Sequence, residues 1–365
     1  MITVDEIASF LSATLPPVYQ ESYDNSGLLV GSLDFTLKNI LVTLDVTEEV
    51  INEAFMNDCN LIVAHHPIIF KGIKSLTGKN YVEKTIIKAI KNDIAIYASH
   101  TNLDNLKNGV SFKMAEKLGL KNVKTLSPKK DTLKKLTVFV PVEHAEKLLS
   151  ALHEAGAGNI GNYSECSFQT EGLGSFKPND LANPTVGKSG KKELVKEQKI
   201  EVLLPIDKEK AVLKAMYKSH PYEEVAYFLQ NLENYNQDIG SGIVGDLPQE
   251  MRTEYFFDKL KAIYKTKTLR HTKQVKDTVK RVAMCGGAGS FLLKDAIAQK
   301  ADIYVSADFK YHEFFDAEDA IIIADIGHYE SEQYTKELLL EIISNKFPNI
   351  AVLLSKVNTN PVFYT

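Results

Sequence analysis

The chain has 365 residues, 44% of them hydrophobic and 25% charged, with a formal net charge of −4. That length exceeds one ordinary domain, and the composition is that of a soluble globular protein able to bury sizeable cores. The charge excludes a general electrostatic pull toward nucleic acid or anionic membranes. Three scattered cysteines (Cys59, Cys166, Cys285) argue for a reducing compartment and against a cysteine zinc site. Asp5 and Glu6 stand where a signal peptide would carry basic residues, and no apolar run is long enough to span a bilayer, so a cytoplasmic location is expected.

In chain order, residues 3–14 predict an amphipathic helix with Ile7, Phe10 and Leu11 on its apolar face, stopped by Pro16-Pro17. A turn cluster, Asp24-Asn25-Ser26-Gly27, precedes Leu28-Leu29-Val30. Asn39–Leu44 reads as a strand, and a helix runs to about Met56 with Asp45 or Thr47 as its cap. Leu61–Phe70 is an apolar strand ending in His65-His66-Pro67. Neighbouring strand residues face opposite ways, so both imidazoles serve one ion only if the strand ends between them; otherwise they serve two. A helix over 82–91, a strand from Ile94 into the polar loop Ser99–Asn105, and a helix near 110–118 complete this half. The alternation predicts a mainly parallel sheet flanked by helices.

The pattern changes at 126–131, a polar, proline-bearing linker. Strand 136–141, helix 143–155, strand-like 163–170, an irregular segment at 171–192, strand 199–205, helix 207–220 and strand 224–229 follow. The order βαββαβ predicts an inserted ferredoxin-like module. After a second turn cluster at 238–242 the first pattern resumes: helix 249–264, strand 279–284, the turn Cys285–Ser290 and a helix through Gln299. Strands 302–305 and 320–324, a long helix from about 328 and strand 351–354 complete the chain. The fold class is therefore α/β, with a split core at 1–127 and 239–365 and an inserted domain at 128–238.

His328 and Glu332, four apart at a helix start, share one face just past an apolar strand. Asp104 and the His65-His66 pair occupy equivalent strand-end positions, where α/β sheets gather ligands. Three imidazoles and two carboxylates exceed one closed site and suit two borderline ions such as zinc, iron or manganese that share a carboxylate. Whether Asp104 or Glu332 bridges stays open. His100, Asp308 and His312 are secondary candidates, His100 as a ligand-orienting group or proton shuttle. Gly286-Gly287-Ala288-Gly289-Ser290 lacks the third glycine of a dinucleotide fingerprint and reads as a tight strand-to-helix turn with room for a substrate phosphate nearby.

The combination of Asp24–Leu28, Ala64-His65-His66-Pro67, Ser99–Asp104, Cys285–Ser290 and Asp325–Glu332 resembles the NIF-three-like family, whose members are named GTP cyclohydrolase I type 2 homologues. The resemblance implies that His65, His66, Asp104, His328 and Glu332 are the metal ligands. Gly161–Ser164 and His220–Val225 resemble the PII- or CutA-like domain of longer bacterial members. The resemblance also implies a homohexameric, toroid-like cage with interior metal sites. Two function classes follow. One is a metal-dependent hydrolase acting on a nucleotide or related small molecule. The other is a non-enzymatic, metal-stabilised regulator or scaffold whose insert senses a ligand.

Overall fold

A computed structural model describes residues 2–365. It is a mixed α/β protein, and its residues divide into one unit made of 2–128 and 237–365 and another made of 129–236.

The first sheet of the larger unit has the order Gly27–Val30, Ala95–Ala98, Cys59–Ala64, Asn39–Thr43, Val352–Leu354. Its last four strands are mutually parallel, and only Gly27–Val30 runs antiparallel. The closing strand Val352–Leu354 thus joins the sheet built by the other end of the chain. Cys59–Ala64 shows why the sheet has two covered faces. Leu61 and Val63 pack toward helices Val4–Thr14 and Thr335–Lys346, while Ile62 and Ala64 pack toward helices Glu48–Met56 and Tyr81–Lys91. Near-continuous hydrophobicity is what a strand buried on both faces requires.

The second sheet has the order Arg270–His271, Ile322–Asp325, Ile303–Ala307, Thr278–Ala288, Asn236–Arg252, Lys121–Lys129. Three of its four inner strands, Thr278–Ala288, Ile303–Ala307 and Ile322–Asp325, are mutually parallel; Arg270–His271 and Asn236–Arg252 pair antiparallel. The expectation of mainly parallel sheets therefore fits the first sheet and only the middle of the second. Two readings fail for one reason. Most of the expected linker (126–129) and all of the turn cluster at 238–242 lie in strands, because glycine and proline at a sheet margin carry the same letters as a linker. Gly240 sits so close to Ser127 that a Cβ there would lie 2.2 Å from its carbonyl oxygen. The predicted long helix from 328 is two helices, His328–Glu332 and Thr335–Lys346.

The smaller unit has four antiparallel strands ordered Phe168–Phe176, Glu193–Pro205, Leu133–Pro141, Tyr227–Leu232. Helices Ala145–Glu154 and Glu209–Ser219 cover one face through Leu148, Leu152, Val212 and Met216. The second strand lies later than expected and takes residues from the segment read as irregular. Its exposed, glycine-bearing pattern gives no alternation to read. Among the described residues, no helix is long and apolar enough to cross a membrane.

Leu11 is fully buried on the first sheet and Met56 is 76% exposed. Leu11→Ala is expected to destabilise the protein by about 2–5 kcal/mol, and Met56→Ala to change stability by no more than about 0.5 kcal/mol. Urea unfolding followed by circular dichroism checks the contrast.

Candidate metal centre

The carboxyl ends of parallel strands from both sheets of the larger unit deliver the side chains. The strand Cys59–Ala64 ends one residue before His65. The amides of His65 and His66 still donate to Thr43 and Leu44, but the two rings no longer face opposite ways. Their centroids lie 4.9 Å apart at an interplanar angle of 44°. The strand Ala95–Ala98 leads into the short helix Thr101–Asp104. Ile322–Asp325 turns at Gly327, whose φ of +95° suits glycine, into His328–Glu332.

Each imidazole is held by its Nδ1. His65 Nδ1–H donates to the Ser99 carbonyl (2.9 Å), an acceptor only, which leaves Nε2 as the inward-facing atom of the ring. His66 Nδ1 meets Asp45 Oδ1 at 2.7 Å, His328 Nδ1 meets Asp308 Oδ2 at 2.6 Å, and His100 Nδ1 meets Asp24 Oδ1 at 2.8 Å. Carbonyl or carboxylate partners on the outer nitrogen are the usual way of aiming an imidazole at a cation.

The inner atoms converge. His66 Nε2 and His328 Nε2 are 3.3 Å apart, and Glu332 Oε2 lies 3.0 Å from the first and 3.1 Å from the second. Four ligands about 2.0–2.1 Å from one centre stand about 3.3 Å from each other in a tetrahedron. His65 Nε2 lies 3.7 Å from Asp104 Oδ1 and 3.8 Å from Glu332 Oε1. Two of these buried atoms, His65 Nε2 and Asp104 Oδ1, have no hydrogen-bond partner. Orphaned polar atoms are costly in a folded interior, and a divalent ion would satisfy them together. Three donor groups result that could hold a metal ion, His66–His328–Glu332, His65–Asp104–Glu332 and His65–His66–His100, and Glu332 offers one oxygen to each of the first two.

The chain matches the model of the Duf34/NIF3 (NGG1p interacting factor 3) family over residues 2–361. It belongs to that family. A Halalkalibacterium halodurans relative named GTP cyclohydrolase 1 type 2 homolog is 41% identical over 343 residues, covering 93% of this chain and 92% of the relative. A Bacillus subtilis protein of the same name is 41% identical over 352 residues, covering 95% and 94%. The crystal structure of a Bacillus cereus protein related to NIF3 superposes with a TM-score of 0.87 at 39% identity, over 100% of this chain and 99% of that one.

In this Duf34/NIF3 member the buried acids and imidazoles shift one another's protonation. Burial alone would raise the Glu332 carboxyl, but the His328 and His66 imidazoles outweigh it and hold the group well below the usual carboxylate range. Burial would likewise lower both imidazoles, yet Glu332 with Asp45 raises His66 to about 10, and Glu332 with Asp308 raises His328 to about 11. Asp104 is raised to about 7 by burial and then by Glu332. A divalent ion would take the place of the protons that gather around Glu332.

The structure brings together His65, His66, Asp104, His328 and Glu332, with His100 beside them. Asp308 stands behind His328 in a left-handed conformation (φ +58°) that aspartate tolerates. His312 lies elsewhere: it is exposed on the 3-10 helix Tyr311–Ala317, where its ring stacks on Phe315 of the same helix. The glycine run makes the expected strand-to-helix turn only at its end: the strand Thr278–Ala288 continues through Gly287, and Gly289 leads into the helical turn Ser290–Leu292. Bare backbone there admits Glu332: a Cβ on Gly287 would sit 2.3 Å from Glu332 Oε1. Burial first, and then the nearby Asp104 and Glu332 carboxylates, push the Cys285 thiol up to about 12, an inert state.

Asp45 and Asp24 escaped sequence reasoning. Thr47 caps the helix after Asp45, leaving the aspartate for His66. Asp24, placed in a turn cluster, is fully buried at its side chain and accepts from His100, from the Thr101 amide (2.9 Å) and from the Thr101 hydroxyl. The density of Asp, Asn and Ser ahead of a β-strand was the available signal, and turns share it.

Two cavities open onto the centre. One of about 750 Å³ is bounded by Tyr23, Phe70, Tyr81, His100, Asp104 and Glu332. The other, about 480 Å³, is bounded by Arg270, Asp308, Tyr329, Glu330 and Tyr364. Asp45, His66, His328 and Pro361 border both.

Gly287→Ala is expected to displace Glu332 and lower the metal retained per chain in elemental analysis; full retention would contradict the close approach. Burial raises Asp24, but bonds from His100 and Thr101 outweigh it and hold it well below its ordinary value. A depressed carboxylate contributes stability that is complete above its unfolded pKa, about 4, and is lost as pH falls through the folded value. Asp24→Asn should therefore be less stable at neutral pH and show a shallower fall in stability below about pH 4, read by denaturant titrations from pH 7 to 2.

Proposed function

We propose that this protein is a metal-dependent hydrolase whose centre holds two divalent ions, with Glu332 as the shared carboxylate. The observation carrying the reading is that Glu332 directs Oε2 at His66 and His328 and Oε1 at His65. Imidazole and carboxylate donors with near-tetrahedral spacing favour zinc, with iron or manganese as alternatives. When bound, such ions act as Lewis acids that ease deprotonation of water and polarise an electrophile.

The remaining roles belong to the chain. Asp45, Asp308 and the Ser99 carbonyl orient the imidazoles. His100, tied to Asp24 and facing the larger cavity, is placed to carry a proton to or from a substrate. Exposed Tyr23, Phe70 and Tyr81 offer flat apolar surface for a ring at the mouth of that cavity. A nucleotide or related heterocycle is the substrate class that agrees with this surface and with the relatives' name, GTP cyclohydrolase 1 type 2 homolog.

The smaller unit is read as a ferredoxin-like, PII- or CutA-like insert, supported by its strand order and its two helices on one face. Homohexamer assembly and a cytoplasmic location belong to the same reading. The competing class, a metal-stabilised scaffold with a ligand-sensing insert, differs in one outcome. Removing metal would dissociate a scaffold without loss of turnover, whereas it would silence an enzyme.

His65→Ala and Glu332→Ala are each expected to reduce bound metal and abolish turnover of the purified protein in a nucleotide hydrolysis screen. Chelation should do the same to the wild type, and re-addition of zinc should restore it. Full turnover after complete chelation would sink the hydrolase reading.

A further inference from the structure

After the edge strand Val352–Leu354 the chain runs along the rim of the metal centre, and Pro361 borders both cavities. Side-chain bonds tether this segment. Ser355 Oγ donates to Glu53 Oε2 (2.5 Å), the Lys356 amide to Glu53 Oε1 (2.8 Å), and Asn360 Nδ2 to Glu330 Oε1 (3.0 Å). Between these tethers Thr359 Oγ1 donates to Asp45 Oδ2 (2.5 Å), while Asp45 Oδ1 meets His66 Nδ1 at 2.7 Å. The two oxygens of one carboxylate are thus divided between the C-terminal segment and an imidazole of the centre.

Asp45 needs this second contact. It sits in the connection between the strand Asn39–Thr43 and the helix Glu48–Met56, and its side chain is 33% exposed. A short carboxylate in that setting can turn toward water, and a turned carboxylate would release the His66 ring. A hydroxyl fixed by flanking tethers removes that freedom.

We infer that Thr359 is a positioning residue: by locking Asp45 it aims His66, so that docking of the C-terminal segment sets how tightly the His66–His328–Glu332 group takes a divalent cation. The inference rests on the reading of that group as a metal site. Its consequence is that a segment more than 20 residues beyond the last proposed ligand tunes the centre without touching a bound ion.

The test is zinc affinity of the full-length protein, measured by competition with a chromophoric chelator. Thr359→Val keeps the shape and removes the hydroxyl; it should weaken zinc binding about tenfold, the scale on which lost orienting partners act. Thr359→Ser keeps the donor and should stay within about threefold of wild type on that same scale. Asp45→Asn should weaken binding too, and adding Thr359→Val to it should bring no further loss, because both act through one carboxylate. Melting temperatures of the apoproteins show whether each variant folds. Wild-type affinity in Thr359→Val, or losses that simply add in the double variant, would overturn the inference. Absence of zinc binding by the wild type would instead remove the metal reading on which it rests.

Discussion

A buried carboxylate facing two imidazoles is the constraint around which the larger unit is arranged. Glu332 is only 3% exposed, and its Oε2 is shut off from solvent. Burying an ionised carboxylate is affordable only with compensating charge, and here that charge comes from His66 and His328 beside Oε2. Everything nearby serves that arrangement. The Gly286-Gly287 backbone is bare so that Glu332 can approach, and Ser331 Oγ accepts from the Gly287 amide to fix the helix against the strand.

Two sheets are needed because one cannot supply the set. His65, His66 and Asp104 come from the strand ends of the first sheet, and His328 with Glu332 from the second. Parallel strands release all their carboxyl ends on one edge, so apposing two such edges concentrates side chains from distant parts of the sequence. The outer support has the same economy. Three aspartates and a backbone carbonyl each hold one Nδ1, which turns every Nε2 inward. The chain matches the Duf34/NIF3 family model over residues 2–361, so both sheets lie within the matched region.

Legibility in the sequence followed the length scale of the signal. The helices Val4–Thr14 and Val110–Leu118 and the strand Cys59–Ala64 were readable because periodicity and continuous burial are local properties. The strands Lys121–Lys129 and Asn236–Arg252 were not, since glycine and proline at a sheet margin carry the same letters as a linker. His312 looked like a strand-end histidine, yet a turn of chain separates it from the edge where the donors meet.

The sequence by itself determined the inventory of the centre: imidazoles and carboxylates, each a few residues past an apolar strand, where hydrophobic burial fixes their depth. Tertiary structure alone decided the division of labour. Glu332 rather than Asp104 stands between two of the donor groups, and Asp45, Asp308 and Asp24 each face an imidazole. His328 meets His66 across 262 residues and Thr359 reaches Asp45 across 314. A hydrogen bond between two short polar side chains needs only that their atoms arrive within 3 Å or so. That demand leaves no period, run or spacing in either stretch of sequence, so only the folded chain could reveal it.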